Sequence, residues 1–218
     1  MRVTVIDYKA GNLTSVLKTL HYLGAETEVT DTPGPVETAE RIVLPGVGHF
    51  AATKLLDDTG LTAAVRAAIA RGVPFLGICV GMQWLYAGSS EAPEQPGLAH
   101  FAEHCTRFSD PQQKVPHVGW NSIEIAHGSK LFADVVQGAY VYFTHSYKAP
   151  VSGDTVATSE YIEPFCAAVE RGNVMGVQFH PEKSAEVGLK ILANFLAWQP
   201  DSRKHPDLQP DSQKETQC

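Results

Sequence analysis

The chain has 218 residues, a formal net charge of -7 and a hydrophobic fraction of 44%. This length suffices for one domain with a substantial core, and the near-average composition excludes an intrinsically disordered chain. The negative charge argues against nucleic acid or a membrane surface as a partner. Its four cysteines have no C-x-x-C spacing, and neither a signal peptide nor a membrane-spanning apolar run is visible, so we expect a reduced, cytoplasmic protein.

The first half of the chain alternates short apolar strands with amphipathic helices. Helices are predicted over 13–23 and 61–70 by apolar residues at three-and-four spacing. Strands are predicted over 1–7, 27–30, 41–44 and 73–78. This alternation is typical of a parallel sheet that is covered by helices on both faces.

The second half has a different pattern. Residues 87–113 are polar and predict a surface loop, and a closing helix is predicted to begin after Ser184 as its N-cap. Between them lie short strand candidates at 122–125, 140–143, 156–161, 165–170 and 174–179. We therefore predict an α/β fold: an open mixed, mostly parallel sheet flanked by helices, in a single domain over 1–199. A polar tail, expected to be disordered, follows over 200–218.

Cys79 lies where an apolar strand gives way to a helical pattern, within the pentapeptide Gly77-Ile78-Cys79-Val80-Gly81. Glycines on both sides are typical of a nucleophile elbow, because a sharp bend leaves no room for side chains there. The bend directs a helix N-terminus at the sulfur and leaves the Val80 N–H free for a developing oxyanion. The alternative interpretation of Cys79 is a small, buried hydrophobic residue.

A candidate base follows the last predicted strand. His180 and Glu182 are two residues apart, so in an extended chain both side chains point to the same side. The carboxylate would then hold one ring nitrogen while the other nitrogen reaches the thiol, as in a catalytic triad. The alternative is a surface histidine beside a solvated glutamate.

A glycine-rich turn, Pro45-Gly46-Val47-Gly48, follows the third predicted strand and is a candidate for a second oxyanion donor. Its glycine spacing also fits a loose dinucleotide motif, but Arg66 stands where an acid would bind the ribose, which disfavours that interpretation. A zinc site at His100, His104 and Cys105 is disfavoured because no second ligand cluster accompanies them. We predict no metal and no cofactor.

The residues around Cys79 and His180 resemble those of class I glutamine amidotransferases, and the resemblance covers about residues 1–198. It implies a flavodoxin-like core and a glutaminase in which Cys79 attacks glutamine, His180 transfers the proton and Glu182 orients His180. It further implies oxyanion donors at Gly48 and Val80. The substrate-binding positions that it implies are Gln83, Glu91, Ser146 and Tyr147.

Three further strings are similar to those of the glutaminase subunits of imidazole glycerol phosphate synthases, which serve histidine biosynthesis. They are Ile6-Asp7-Tyr8-x-x-Gly11-Asn12, Pro116-His117-Val118-Gly119-Trp120-Asn121 and Tyr142-Phe143-x-His145-Ser146-Tyr147. This resemblance implies L-glutamine as substrate and a heterodimer with a (β/α)8-barrel synthase that consumes the ammonia. The partner-facing residues that it implies are Asn12, Pro116, His117, Trp120, Asn121 and Lys183.

Alternatives remain open at this stage. One is a glutaminase subunit of another class I amidotransferase, and a second is a catalytically inactive relative that acts as a regulatory module. A cysteine hydrolase of peptides is a third. The stretch Gly97-Leu98-Ala99-His100-Phe101 departs from the glycine-richer sequence that the resemblance would lead us to expect.

Overall fold

The computed structural model describes residues 1–10, 13–110 and 112–199. The polar tail predicted over 200–218 and the candidate interface residue Asn12 lie outside these ranges. The strands are β1 (Arg2–Ile6), β2 (Glu26–Thr30), β3 (Ile42–Gly46), β4 (Phe75–Cys79), β5 (Gly88–Ser89), β6 (His104–Arg107), β7 (His117–Ser122), β8 (Glu124–Ile125), β9 (Tyr140–His145), β10 (Tyr147–Lys148), β11 (Thr155–Tyr161), β12 (Glu163–Arg171) and β13 (Val174–Val177).

The main sheet has eight strands in the order β2-β1-β3-β4-β13-β12-β11-β8 among the described residues. Neighbours from β2 to β13 run parallel, and β12, β11 and β8 extend the sheet with antiparallel pairings. The predicted mixed, mostly parallel sheet is thereby confirmed. Strands β3 and β4 are buried along their whole length, as a sheet covered on both faces requires.

The helices are α1 (Leu13–Tyr22), α2 (Pro33–Glu37), α3 (Lys54–Asp58), α4 (Leu61–Ala70), α5 (Val80–Gln83) and α6 (Ala185–Ala197). Helix α1 buries Val16 and Leu20 from its predicted apolar face. Helix α2 lies in a segment for which no helix was predicted, and it forms there because proline is tolerated in the first turn of a helix. None of the helices in the described ranges is long and apolar enough to cross a membrane.

Two predictions for the second half need correction. Residues 87–113 are not a loop throughout, since β5 and β6 lie within them and form a three-stranded sheet with β10. The strand predicted at 122–125 is divided: Glu124–Ile125 form β8 at the edge of the main sheet, whereas Ser122 ends β7, which pairs antiparallel with β9 in a separate two-stranded sheet. We call this pair of strands the β7–β9 ribbon.

Candidate active site

Cys79 is the last residue of β4 and immediately precedes the short helix α5. Its backbone has φ 55° and ψ -109°, a conformation that L-residues rarely adopt and that stores strain at the bend. The residue is only 4% exposed. The predicted strand-to-helix elbow is therefore present, and the buried position of the sulfur does not by itself distinguish a nucleophile from a core thiol.

The glycines on both sides of Cys79 are required by space. A Cβ added at Gly81 would overlap the carbonyl oxygen of Leu44 on β3, and one added at Gly77 would overlap the carbonyl group of Gly81. Both obstacles are backbone atoms, which cannot move aside as a flexible side chain can. The elbow thus depends on the absence of side chains at these two positions.

His180 lies three residues beyond β13, the parallel neighbour of β4. Its Nδ1 is 2.8 Å from Oε1 of Glu182, and both side chains are 2% exposed. Burial lowers the pKa of His180, but the neighbouring Cys79 sulfur and Glu182 carboxylate outweigh it and raise this pKa to about 10. Topology therefore brings the three predicted catalytic residues together across the β4–β13 boundary.

The segment that carries His180 is attached to β9. The backbone N–H of His180 donates to the carbonyl oxygen of Tyr142 at 2.9 Å. The Ser184 hydroxyl donates to the carbonyl oxygen of His180 at 2.7 Å and accepts from the N–H of Tyr142 at 3.0 Å. Helix α6 begins after Ser184 as predicted, with Ser184 at the N-cap position, but the side chain makes no capping hydrogen bond because its hydroxyl is engaged between the two segments.

A cavity of about 250 Å³ opens onto the sulfur. Its walls include every residue that the sequence assigned to the oxyanion and substrate sites, namely Gly48, Val80, Gln83, Glu91, Ser146 and Tyr147. Val47, Pro116, Thr144 and His145 also line it. A volume of this size accommodates a small molecule rather than a folded peptide segment.

Several cavity residues are held by internal hydrogen bonds. Gln83 uses both amide protons, donating from Nε2 to the carbonyl oxygen of Tyr147 at 2.9 Å and to Oε1 of Gln178 at 3.0 Å. The Glu91 carboxylate accepts from the N–H of Phe50 at 2.8 Å, and the Ser146 carbonyl accepts from Phe108 at 3.0 Å. The Gln83 side chain thus retains only its oxygen for an additional partner.

The glycine-rich turn after β3 approaches the cavity. Gly48 has φ 95°, a left-handed conformation that favours glycine. The preceding N–H, that of Val47, donates to the carbonyl oxygen of Ala10 at 3.3 Å and is therefore already engaged. In this arrangement, Gly48 and Val80 are the candidate backbone donors beside the cavity.

The predicted partner-facing residues lie largely on the β7–β9 ribbon and beside it. Trp120 is 51% exposed, and its ring meets that of Tyr142 edge to face at 6.1 Å. Lys183 is exposed, with its Nζ 5.7 Å from the centre of the Tyr142 ring, and Pro116 is exposed at the mouth of the cavity. Asn121 is half-buried and donates to the carbonyl oxygen of Glu160 at 2.9 Å.

His117 does not fit its predicted place on the surface. Alternation along β7 turns its side chain inward, where it is 4% exposed and stacks on Tyr161 with ring centres 4.2 Å apart. Its Nδ1 is 3.1 Å from Nε2 of His145. His117 is thus part of an internal aromatic cluster, whereas Pro116, Val118 and Trp120 point outward.

Sequence reasoning assigned no role to two further residues that the structure places beside the candidate triad. The Gln178 amide donates to the Cys79 sulfur at 3.7 Å, and His145 donates from Nδ1 to the carbonyl oxygen of Tyr147 at 2.9 Å. His145 stands in a string that carries the family resemblance, and Gln178 lies two residues before His180, so closeness in sequence to Tyr147 and His180 was the signal that could have found them. Across the described ranges, no three His, Cys, Asp or Glu side chains are grouped so that they would hold a metal ion.

Comparison with known proteins identifies the class to which this fold and site belong. The family model for glutamine amidotransferase class-I matches residues 4–198. The chain belongs to this family.

Sequence relatives narrow the identification further. The chain is 44% identical to the imidazole glycerol phosphate synthase subunit HisH of Caulobacter vibrioides, over 91% of this chain and 99% of the relative. It is 45% identical to the HisH subunit of Geobacter metallireducens, over 88% of this chain and 96% of the relative. Within the family, the chain is thus similar to HisH subunits. It also matches 35% of a longer relative, the chloroplastic imidazole glycerol phosphate synthase hisHF of Arabidopsis thaliana, at 41% identity over 97% of this chain.

Solved structures show the same fold at low sequence identity. A crystal structure described as a glutamine amidotransferase superposes with a TM-score of 0.70 and 20% identity, covering 89% of this chain and 96% of that one. PurLQS from Thermotoga maritima gives a TM-score of 0.70 at 18% identity, with 89% and 97% coverage.

Proposed function

We propose that this chain is the glutaminase subunit of an imidazole glycerol phosphate synthase and that Cys79, His180 and Glu182 are its catalytic residues. The observation that carries the proposal is the position of the sulfur: it lies at a strained elbow, next to a buried His–Glu pair and at the wall of a small cavity. A core thiol would need neither the cavity nor the ion pair.

In the proposed reaction, the Cys79 thiol gives its proton to His180, and the thiolate attacks the side-chain amide carbon of L-glutamine. The raised pKa of His180 favours the imidazolium that this transfer produces. The tetrahedral oxyanion is stabilised by the N–H groups of Val80 and Gly48. As the C–N bond breaks, His180 returns the proton to the departing ammonia, and the γ-glutamyl thioester remains on Cys79.

Water then completes the cycle. His180 takes a proton from the attacking water, the thioester bond breaks, and glutamate and the Cys79 thiol are released after the proton returns. Glu182 holds Nδ1 of His180 throughout, so that Nε2 stays directed at the reacting atoms. The Nε2 atom is buried and makes no hydrogen bond with any described residue, which leaves it free for this exchange.

The remaining cavity residues are proposed to bind the amino-acid end of glutamine. The Gln83 oxygen and the Glu91 carboxylate suit the ammonium group, since both are acceptors. The segment Ser146–Tyr147 would complete the clamp from the opposite wall. The Glu91 carboxylate also accepts a hydrogen bond from the N–H of Phe50, two residues after Gly48. The same carboxylate would therefore contact both the substrate and the segment that follows the glycine-rich turn.

The ammonia is proposed to pass to a (β/α)8-barrel synthase docked on the β7–β9 ribbon. This face contains exposed apolar and aromatic side chains beside the mouth of the cavity, as a protein interface requires. Docking is proposed to move the turn that carries Gly48, which the Val47–Ala10 hydrogen bond holds in this structure, and so to align the Gly48 N–H with the oxyanion. Equal glutaminase rates with and without the synthase would contradict this gating.

The decisive experiment replaces the nucleophile. In the assembled synthase, Cys79→Ala is expected to abolish glutamine-dependent product formation and to leave ammonia-dependent formation largely intact, because only the ammonia source is lost. The control is Cys166→Ala, which removes a fully buried thiol that does not line the cavity and should retain both activities. Loss of both activities in Cys79→Ala, or of neither, would overturn the proposal.

A further inference from the structure

We propose that Gln178 belongs to the catalytic machinery: its side-chain amide donates a hydrogen bond to the Cys79 sulfur and stabilises the thiolate. This inference rests on the proposed role of that sulfur as the nucleophile. Gln178 is fully buried, and its Nε2 is 3.7 Å from Sγ. Among the described residues, it is the side-chain amide within hydrogen-bonding distance of the reacting atom.

The backbone of Gln178 is held in place by the neighbouring strands. It directly follows β13, whose parallel pairing with β4 aligns Val177 with Ile78, so the next residue of each strand stands side by side. The N–H of Gln178 donates to the carbonyl oxygen of Ala167 on β12 at 2.9 Å. The residue therefore faces Cys79 by strand register and not through a flexible loop.

The neighbours of Gln178 determine which end of its amide faces the sulfur. The Tyr147 carbonyl only accepts, so Gln83 must direct its NH2 group at that oxygen. The second proton of the same NH2 group then donates to Gln178, whose oxygen must point at Gln83. The Gln178 NH2 group is consequently left to point at Cys79.

The hydrogen bond to the Tyr147 carbonyl also determines the tautomers of His145 and His117. His145 must carry its proton on Nδ1 to donate to the Tyr147 carbonyl, so its Nε2 accepts from Nδ1 of His117. Burial lowers the pKa of His145 to about 3 and that of His117 to about 4, which keeps both rings neutral and these tautomers populated near neutral pH. The anchor at Tyr147 thus stays in one arrangement.

The consequence for the sulfur is electrostatic. A thiol can donate to the Thr144 carbonyl, which is 4.0 Å away, whereas a thiolate needs donors. An N–H group aimed at the sulfur in a water-poor site favours the charged form. The titratable groups that face this region are His180, Glu182, Tyr8, His145 and Glu91.

The test measures the state of the sulfur without using glutamine. The rate of alkylation of Cys79 by iodoacetamide, quantified by mass spectrometry of the peptide that contains it, is followed from pH 5 to pH 9 in the full chain. Gln178→Met retains the length but removes the donor, together with the oxygen that accepts from Gln83, and the midpoint of the profile should move up by about one pH unit. Gln178→Glu keeps an acceptor for Gln83 but places oxygen at the sulfur, and its shift should be larger.

Unchanged midpoints in folded Gln178→Met and Gln178→Glu would overturn the inference, because a residue that only fills space alters stability and not this midpoint. A surface change, Gln137→Met, is the matched control and should leave the midpoint unchanged, since the hydrogen bonds of the Gln137 side chain within the described part of the chain are to Ile125 and Glu124. In the folded Gln178 variants, glutaminase kcat should fall by about tenfold while KM changes little.

A measurement in the chain with native Gln178 avoids dependence on variants that fail to fold. The side-chain amide protons of Gln178, observed by NMR in uniformly 15N-labelled chain, should shift with pH as Cys79 ionises. This titration should be absent in Cys79→Ala, and identical profiles in the two proteins would contradict the proposal. A shift without glutaminase activity would instead confirm the hydrogen bond while rejecting the function of the sulfur, so the two failures are distinguishable.

Discussion

The candidate active site and the β7–β9 ribbon differ in the solvent exposure of their side chains. His180 and Glu182 are each 2% exposed at the side chain, and their positions are fixed by hydrogen bonds. On the ribbon, Val118, Trp120 and Tyr140 are 57%, 51% and 60% exposed. The chemical groups are therefore assembled within this chain, whereas the ribbon presents apolar surface that is costly to leave in water.

The largest expected effect is at the elbow. Gly81→Ala should destabilise the fold by more than about 4 kcal/mol, because the new methyl group on α5 would overlap the backbone of Leu44 on the fully buried strand β3. Thermal or urea unfolding measures the loss. Gly34→Ala is the matched control, since no atom lies within 4 Å of its added Cβ, and it should change stability by less than about 1 kcal/mol. Equal stability of the two variants would show that the elbow is less rigid than the structure indicates.

The next effect concerns the buried pair. Glu182→Gln should lower glutaminase kcat by at least about a hundredfold, because the neutral amide no longer favours the His180 imidazolium. The pKa of His180, followed by NMR, should fall from its raised value of about 10. Glu186→Gln, an exposed change at the start of α6, should alter neither quantity. Retention of full kcat in Glu182→Gln would remove this carboxylate from the proposed triad.

On the ribbon, Trp120→Ala should weaken binding of the barrel synthase by about 2 kcal/mol and should change the stability of the isolated chain by much less. A large aromatic ring buried on association is a typical hot spot, while half of this ring is exposed in the free chain. Calorimetric titration measures the affinity. Val136→Ala, at a 71% exposed position outside the ribbon, should bind normally. Unchanged affinity in Trp120→Ala would move the docking face elsewhere.

The smallest expected effect is the pH dependence of stability that comes from His117 and His145, the buried histidines beneath the exposed face of the ribbon. The folded-state pKa values of His117 and His145 are lowered to about 4 and about 3, so below their unfolded value near 6.5 the unfolded chain binds more protons. Stability should therefore fall as pH drops from about 6.5 towards 4, with each histidine contributing at most about 1.4 kcal/mol per pH unit. His180 has a raised pKa and is protonated in the folded chain over this range, so it opposes the slope only near about pH 6.5, where the unfolded residue still titrates, and adds none at lower pH.

Urea unfolding of the chain and of His117→Phe between pH 7 and pH 4.5 isolates this term from the carboxylates. Phenylalanine keeps the stacking on Tyr161 but cannot take up a proton, so the variant should lose stability less steeply with acid. Parallel curves for the two proteins would mean that His117 titrates normally in the folded chain.

Local sequence patterns were sufficient to predict the parallel half of the sheet and the position of Cys79 at the end of a strand. Continuous apolar runs define β3 and β4, and glycines mark the elbow because no other residue fits there. The elements that were missed are short and held by distant partners. Strands β5 and β6 depend on each other and on β10, and β7 is specified by its pairing with β9.

Long-range hydrogen bonds explain the errors at individual residues. Ser184 has the sequence position of a helix cap, yet its hydroxyl bonds to His180 and to Tyr142, which is 42 residues away. His117 was assigned to the surface with its neighbours because the motif was taken as a whole, without deciding which face of the strand each residue occupies. Gln178 contacts Cys79 across 99 positions of sequence, and only the strand order reveals this contact.

The attachment of His180 to β9 has a consequence for how such a subunit can diverge. Tyr142 presents its ring to Trp120 and Lys183, while its backbone N–H and carbonyl oxygen support the histidine segment from behind. A substitution that adapts this strand to a new companion protein is transmitted through two hydrogen bonds to the imidazole. The proposed docking face and the proposed glutaminase site are therefore coupled through one strand, so selection on either acts on both.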